Sequence, residues 1–173
     1  MSGGGFPIVP PPRFACVEPG VFRSGYPTLR HFNFLRSLEL KLIVCISPEE
    51  PTVDLREFCR SERVSLRNVC AEKYKGTDAP MLPTDAASVL DAMVSASVHP
   101  VLVCCLDGRA VTGTAVLLLR KLQMWSSAAA HSEYCRFTAE SAPAPDVVSF
   151  IADFVTPIVL PVRIPRWLWG GSL

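Results

Sequence analysis

The sequence predicts an α/β domain, and three observations carry that prediction. Short runs at residues 42–46, 64–69 and 101–104 have the length and β-branched content of strands. Stretches with apolar residues at helical spacing separate them, at residues 31–38, 53–62 and 84–97. The last strand passes through a Gly-bounded loop, residues 105–113, directly into another helical stretch. Strands and helices in alternation build a central sheet flanked by helices.

In chain order, residues 1–12 (MSGGGFPIVPPP) are too rich in Gly and Pro for a helix or a central strand and are expected to form a flexible arm. Glu18-Pro19-Gly20 and residues 21–27 read as compact and turn-like. Phe32, Phe34, Leu35 and Leu38 predict a short helix over 31–38. Residues 42–46 form an apolar run closed by Ser47-Pro48, which predicts a buried strand. Leu55, Phe58 and Cys59 share one side of a helix over 53–62, and 64–69 alternates imperfectly, as a weaker strand. Gly76, Pro80 and Pro83 make residues 71–83 a loop. Thr84-Asp85 caps a helix to about Ser97, with Val89, Leu90 and Met93 facing inward. His99-Pro100 then opens the strand at 101–104. Helices are expected at 114–123, 126–138 and 145–155. The tail is apolar but broken by Pro157, Pro161 and Pro165, which suits an extended strap. The expected organisation is an arm at 1–12, a domain at 13–155 and a strap at 156–173.

Composition narrows the function classes. The 173 residues suit one domain, and 49% hydrophobic against 19% charged residues excludes intrinsic disorder. A formal charge of +1 gives no global pull toward nucleic acid or an anionic membrane. No apolar run reaches the roughly 18 residues of a membrane span, and the N-terminus lacks the pattern of a secretory signal. Seven cysteines, an odd number with no C-x-x-C pair, argue against a disulfide framework or a zinc finger. A soluble, reduced, cytoplasmic protein without metal or cofactor is expected.

The chemistry concentrates at the strand-to-helix junction. A strand ending in Cys, then a short loop with Gly, then a helix opening at Thr-Gly brings several backbone N–H groups to one point, where the helix N-terminus adds about half a positive charge. A cysteine held there has its thiolate stabilised and can attack phosphorus. The same residues also suit a plainer account, in which Cys104 and Cys105 are small core residues at a strand end.

The stretch from His99 to Gly113 resembles the signature of cysteine-dependent phosphatases, H-C-x-x-G-x-x-R-[ST]-G. More narrowly it is similar to the plant and fungal atypical dual-specificity phosphatases, the branch known for cleaving inositol pyrophosphates. The resemblance extends to residues 20–27 with Asn33-Phe34, to 42–50 ending Ser47-Pro48-Glu49-Glu50, and to Leu119–Gln123, Trp125, Glu133-Tyr134 and Arg136-Phe137. It covers roughly residues 13–154 and implies the small α/β phosphatase fold. It places the nucleophile at Cys105 and a phosphate-binding loop over Cys105, Leu106, Asp107, Gly108, Arg109, Ala110, Val111, Thr112 and Gly113.

The departures are as informative. The histidine before the nucleophile is replaced by Cys104, and the arginine position holds Val111. That arginine is a planar fork gripping two phosphate oxygens, and valine has no donor. By comparison with arginine fingers, its loss is on the order of 10³–10⁵ in rate. The branch's basic loop residues are here Leu106, Asp107, Arg109 and Ala110, so Asp107 puts a negative charge where a polyanion would sit. Arg109 is the one loop residue that could stand in for the fork, although its place favours a solvated side chain. A general acid is expected from residues 71–83, with Glu72 the first choice by its distance from Val69 and by the resemblance, and Asp78 the second.

Other candidates are weaker. His131 and Cys135 stand four apart on a helix but lack a third ligand. Cys16, Cys45, Cys59 and Cys70 read as small apolar fillers. Arg23 could bond chain carbonyls or reach the site. Trp167 and Trp169 would anchor a partner if exposed, and the expectation is that they fold back over the core. Two functions follow: an impaired phosphatase-like module binding a phosphorylated protein, a small phospho-ligand or a protein partner, or a working phosphatase that proceeds through phospho-Cys105.

Overall fold

The computed structural model describes residues 8–171. At its centre Val101–Cys105 forms a strand whose residues are all buried and alternate between two cores. Val101, Val103 and Cys105 join one apolar cluster, while Leu102 and Cys104 join the other. The neighbouring cysteines therefore point to opposite faces of the sheet.

In chain order the elements are β1 (Ala15–Glu18), β2 (Val21–Gly25), α1 (Phe32–Ser37), β3 (Leu42–Ser47), α2 (Val53–Glu62), β4 (Ser65–Cys70), α3 (Pro83–Val94), β5 (Val101–Cys105), α4 (Ala110–Leu122), α5 (Ser127–Thr138) and α6 (Pro145–Asp153). The sheet order is β1-β2-β5-β3-β4, with β1 antiparallel to β2 and the other pairings parallel. Phe32, Leu35, Leu55 and Phe58 bring α1 and α2 onto one face. Val89, Met93, Leu118, Leu119 and Phe150 bring α3, α4 and α6 onto the other. The expected α/β architecture, a central sheet flanked by helices, is the one observed. No helix among the described residues is long and apolar enough to cross a membrane.

Helix α2 starts where the Thr52 hydroxyl accepts from the Leu55 N–H at 3.4 Å and stops at Arg63, which adopts a left-handed conformation. Helix α5 is capped by Ser126, whose hydroxyl accepts from the Ala129 N–H. Several expectations need correction. Residues 21–25, expected to be turn-like, form a strand, and the turn is confined to Pro19-Gly20 between it and β1: Arg23, Ser24 and Gly25 look like turn chemistry, yet they lie on an inner strand paired with β5. Helix α3 begins at Pro83, in the first-turn position that tolerates proline, rather than behind a Thr84-Asp85 cap, and it ends at Val94, not Ser97. Helix α4 begins at Ala110, four residues before the expected Thr114, because the Gly113 N–H already donates to the Arg109 carbonyl at 2.7 Å. The non-helical part of the loop is thus residues 106–109.

Residues 1–7 of the expected arm lie outside the described residues. At its far end, Pro11 is buried and the Pro12 carbonyl accepts from the Gly25 N–H at 2.6 Å. In the tail, Leu168 is fully buried, the Trp167 Nε1–H donates to the Pro19 carbonyl and the Trp169 Nε1–H donates to the Leu122 carbonyl.

Candidate functional site

Strand β5 lies between β2 and β3, in register with Gly25 on one side and Ile46 on the other at Cys105. The direction of sheet growth reverses there, and in open α/β sheets the crevice beyond the carboxyl ends of such strands is where ligands sit. Cys105 ends β5 at that point. Gly108 makes the following turn possible: its φ is +71°, and a Cβ there would stand 2.5 Å from the Gly25 nitrogen.

Three consecutive loop carbonyls are each held by a donor from the N-terminal segment. The Leu106 carbonyl accepts from the Tyr26 N–H at 3.3 Å, that of Asp107 from Arg13 Nη1 at 2.9 Å, and that of Gly108 from Arg23 Nη2 at 2.8 Å. Because each peptide's N–H opposes its C=O, this turns the amides of residues 107–109 toward the inside of the loop. One of them is engaged: the Arg109 N–H donates to Asp107 Oδ1 at 2.9 Å. The Cys105 thiol lies 3.6 Å from the same oxygen.

Cys105 is 3% exposed and borders a cavity of about 290 Å³. The walls are Ile46 in β3 and Pro48 just after it, Leu106 and Asp107 in the loop, and Ala110 and Val111 on α4. Across from the loop, Ala71, Glu72, Lys73 and Tyr74 follow β4. Glu72 and Cys105, far apart in sequence, thus share one cavity. Tyr74 ties this segment to α6 by donating its hydroxyl to Asp146 at 2.5 Å, and burial together with that carboxylate pushes its phenol above the usual range.

The remaining candidates are placed elsewhere. Asp78 lines a separate groove with Asp146 and Phe150. Arg109 is exposed and is not part of the cavity wall, while Val111 packs against the core cluster. Thr112 and Gly113 are buried, and a Cβ on Gly113 would lie 2.7 Å from the Tyr134 ring. His131 and Cys135 border a surface depression, and among the described residues no group of three His, Cys, Asp or Glu is placed to hold a metal ion. Cys104 faces the α1/α2 core with its sulfur 3.5 Å from Cys45; that contact and full burial hold its thiol well above the ordinary range, so it stays protonated. All seven cysteines are free thiols.

Sequence reasoning missed the part of Arg13 in holding the loop and left that of Arg23 open. Their partners are 94 and 85 residues away, a separation that no local pattern reports. It also missed Lys73 and Tyr74, whose only signal was adjacency to Glu72.

A family model described as the tyrosine phosphatase family matches residues 8–172. OCA1 of Saccharomyces cerevisiae (strain YJM789) is 36% identical over 167 residues, covering 93% of this chain and 70% of that protein. Inositol diphosphatase DSP4 of Arabidopsis thaliana is 36% identical over 144 residues, covering 83% and 73% respectively. The core catalytic domain of the PP-IP phosphatase SIW14 from S. cerevisiae, solved with citrate, superposes with a TM-score of 0.78 at 28% identity, covering 86% of this chain and 88% of that one.

Proposed function

We propose a function that starts from one premise: this chain belongs to the tyrosine phosphatase family. Within that family it is a member impaired in phosphoryl transfer, acting as a binding module for a phosphorylated ligand or a protein partner. One observation carries the reading. Val111, which the sequence resemblance puts at the place of the phosphate-gripping arginine, stands in the cavity wall, and among the described residues no arginine side chain lines the cavity. Arg109 is turned out to solvent and Arg23 is buried behind the loop. Two oxygens of a bound phosphoryl group would lack their bidentate donor in the ground state and in the transition state.

A second reading, a slow but genuine phosphatase, is favoured by the inward-facing amides beside Cys105 and by Glu72 in the same cavity. In that reaction the Cys105 thiolate attacks phosphorus, and the ester oxygen leaves with a proton from Glu72. Water then hydrolyses the phosphocysteine, releasing phosphate and restoring the thiol. The free thiols suit a reducing, cytoplasmic setting.

The test is phosphate release from a small aryl phosphate by the full chain and by Val111→Arg. Turnover should be low in the unmodified protein and rise by at least roughly a hundredfold in the variant, a conservative share of what such an arginine supplies. The gain should vanish when Cys105→Ser is added. Rapid turnover by the unmodified protein, selective cleavage of an inositol pyrophosphate, or a folded Val111→Arg that stays silent would each overturn the reading.

A further inference from the structure

The loop is built to receive an anion, and part of that reception is already taken by its own side chain. With the carbonyls of residues 106–108 held outward by Tyr26, Arg13 and Arg23, the amides of 107–109 face inward. The Arg109 N–H ends on Asp107 Oδ1 at 2.9 Å, and the Cys105 thiol points to the same atom at 3.6 Å. A phosphoryl oxygen would have to accept these same donors.

We infer that Asp107 is the resident anion of this loop and sets the charge of what the cavity accepts: an uncharged group with an apolar body, in preference to an oxyanion. The rest of the lining agrees. Ile46, Pro48, Leu106, Ala110 and Val111 offer apolar contact around the thiol, and the other charges on the wall are one of each sign, Glu72 and Lys73. An incoming phosphate dianion meets a carboxylate of like charge with no guanidinium on the cavity wall to grip it, and it loses the Arg109 amide unless Asp107 swings away. A neutral ligand meets neither obstacle. The inference rests on the impaired-phosphatase reading insofar as Val111 leaves the carboxylate unopposed, and it chooses among the binding partners that reading allows, against the dianionic ones.

The test uses two thiol reagents of nearly equal size and different charge, neutral iodoacetamide and anionic iodoacetate, on the full chain. In each case the cysteine sulfur bonds to the reagent's methylene carbon, iodide leaves, and the thiol proton passes to solvent. Modification at Cys105 is followed by peptide mass spectrometry, with exposed Cys70 as the internal reference. The iodoacetate-to-iodoacetamide rate ratio at Cys105 should lie at least roughly tenfold below that at Cys70, a modest part of what one unit charge exerts at contact distance. Asp107→Asn should raise it by at least roughly tenfold, and Asp107→Ser, which keeps an oxygen on the side chain, should do the same if the first variant folds poorly.

Equal ratios at the two cysteines of the unmodified protein would overturn the inference, as would an unchanged ratio in both variants. A rise in Glu72→Gln as large as that in Asp107→Asn would also overturn it, by moving the role to Glu72. No phosphoryl transfer enters this measurement. An active wild-type phosphatase would therefore defeat the functional proposal while the ratio still decided the role of Asp107.

Discussion

Arg23 and Arg120 are buried almost equally, at 1% and 3% exposure, in opposite electrostatic surroundings. Arg120, on α4, gives Nε and Nη2 to the Glu133 carboxylate at 2.7 and 2.8 Å and Nη1 to Glu18 at 2.5 Å. It also reaches the Val17 carbonyl and lies over the Trp125 ring. Burial works against its charge, but Glu133 and then Glu18 more than offset that and raise its pKa. Arg23, on β2, has a single acceptor, the Gly108 carbonyl, and stands over the Phe137 ring. Its Nε and Nη1 are without a partner among the described residues. Burial lowers its pKa to about 10, with the nearby Cys105 the largest influence in the other direction. One arginine is neutralised where it ties β1, α4 and α5 together. The other keeps an uncompensated charge and idle donors behind the loop. Native structures satisfy buried donors unless a site requires otherwise, so the contrast separates a structural arginine from one held for the loop.

The largest expected effect breaks the neutralised side. Arg120→Met leaves Glu18 and Glu133 facing each other in a mostly buried setting, and denaturant unfolding should register a loss of about 3–5 kcal/mol. A loss below about 1 kcal/mol would mean that the ion cluster is solvated.

The second effect separates stability from reactivity. Arg23→Met removes one charged hydrogen bond but also an unneutralised buried cation, so global stability should move by no more than about 1 kcal/mol in either direction. The alkylation of Cys105 by iodoacetamide should nevertheless fall by roughly threefold or more, because the Gly108 carbonyl loses its donor and the thiolate a nearby cation. If stability collapses and reactivity is spared, Arg23 belongs in the same class as Arg120.

The smallest effect concerns acid. Neither arginine titrates between pH 5 and 8, so stability lost in that window has another source. Burial depresses the pKa of His99, which bonds the Met93 carbonyl, and that of His31. The unfolded chain takes up a proton near pH 6.5 before the folded one does. The stability linked to these groups is full above that pH and is lost as pH falls toward the folded values. In His99→Gln the acid slope of the unfolding free energy should flatten, while Arg23→Met should leave it unchanged.

The same pair of arginines explains what the sequence could reveal. Helix α2 was legible to the residue, because Leu55, Phe58 and Cys59 mark its buried side. Strand β5 was legible as an apolar run, and the loop through its Cys–Gly–Thr-Gly spacing. Strand β2 was not, because the side chains that look unsuited to an inner strand, Arg23 and Ser24, are buried there, and Arg23 is used by residues 85 positions away. At the site, the like charge of Asp107 was readable from its position. That its carboxylate accepts from the Arg109 amide and stands beside the Cys105 thiol was not, because this depends on carbonyls turned outward by Arg13 and Arg23.

The hydrogen bond from Trp167 to the Pro19 carbonyl spans 148 positions, beside a fully buried Leu168. In a living cell that separation is a time. At translation speeds of about 5–20 residues per second, roughly 7–30 seconds pass between the synthesis of the turn before β2 and that of the segment that seals it. Val17 and Val21, two of the apolar residues in the cluster that Leu168 completes, are therefore among the first made and the last covered. Throughout that interval the nascent chain carries an unfinished core, the state in which chaperones bind and aggregation begins.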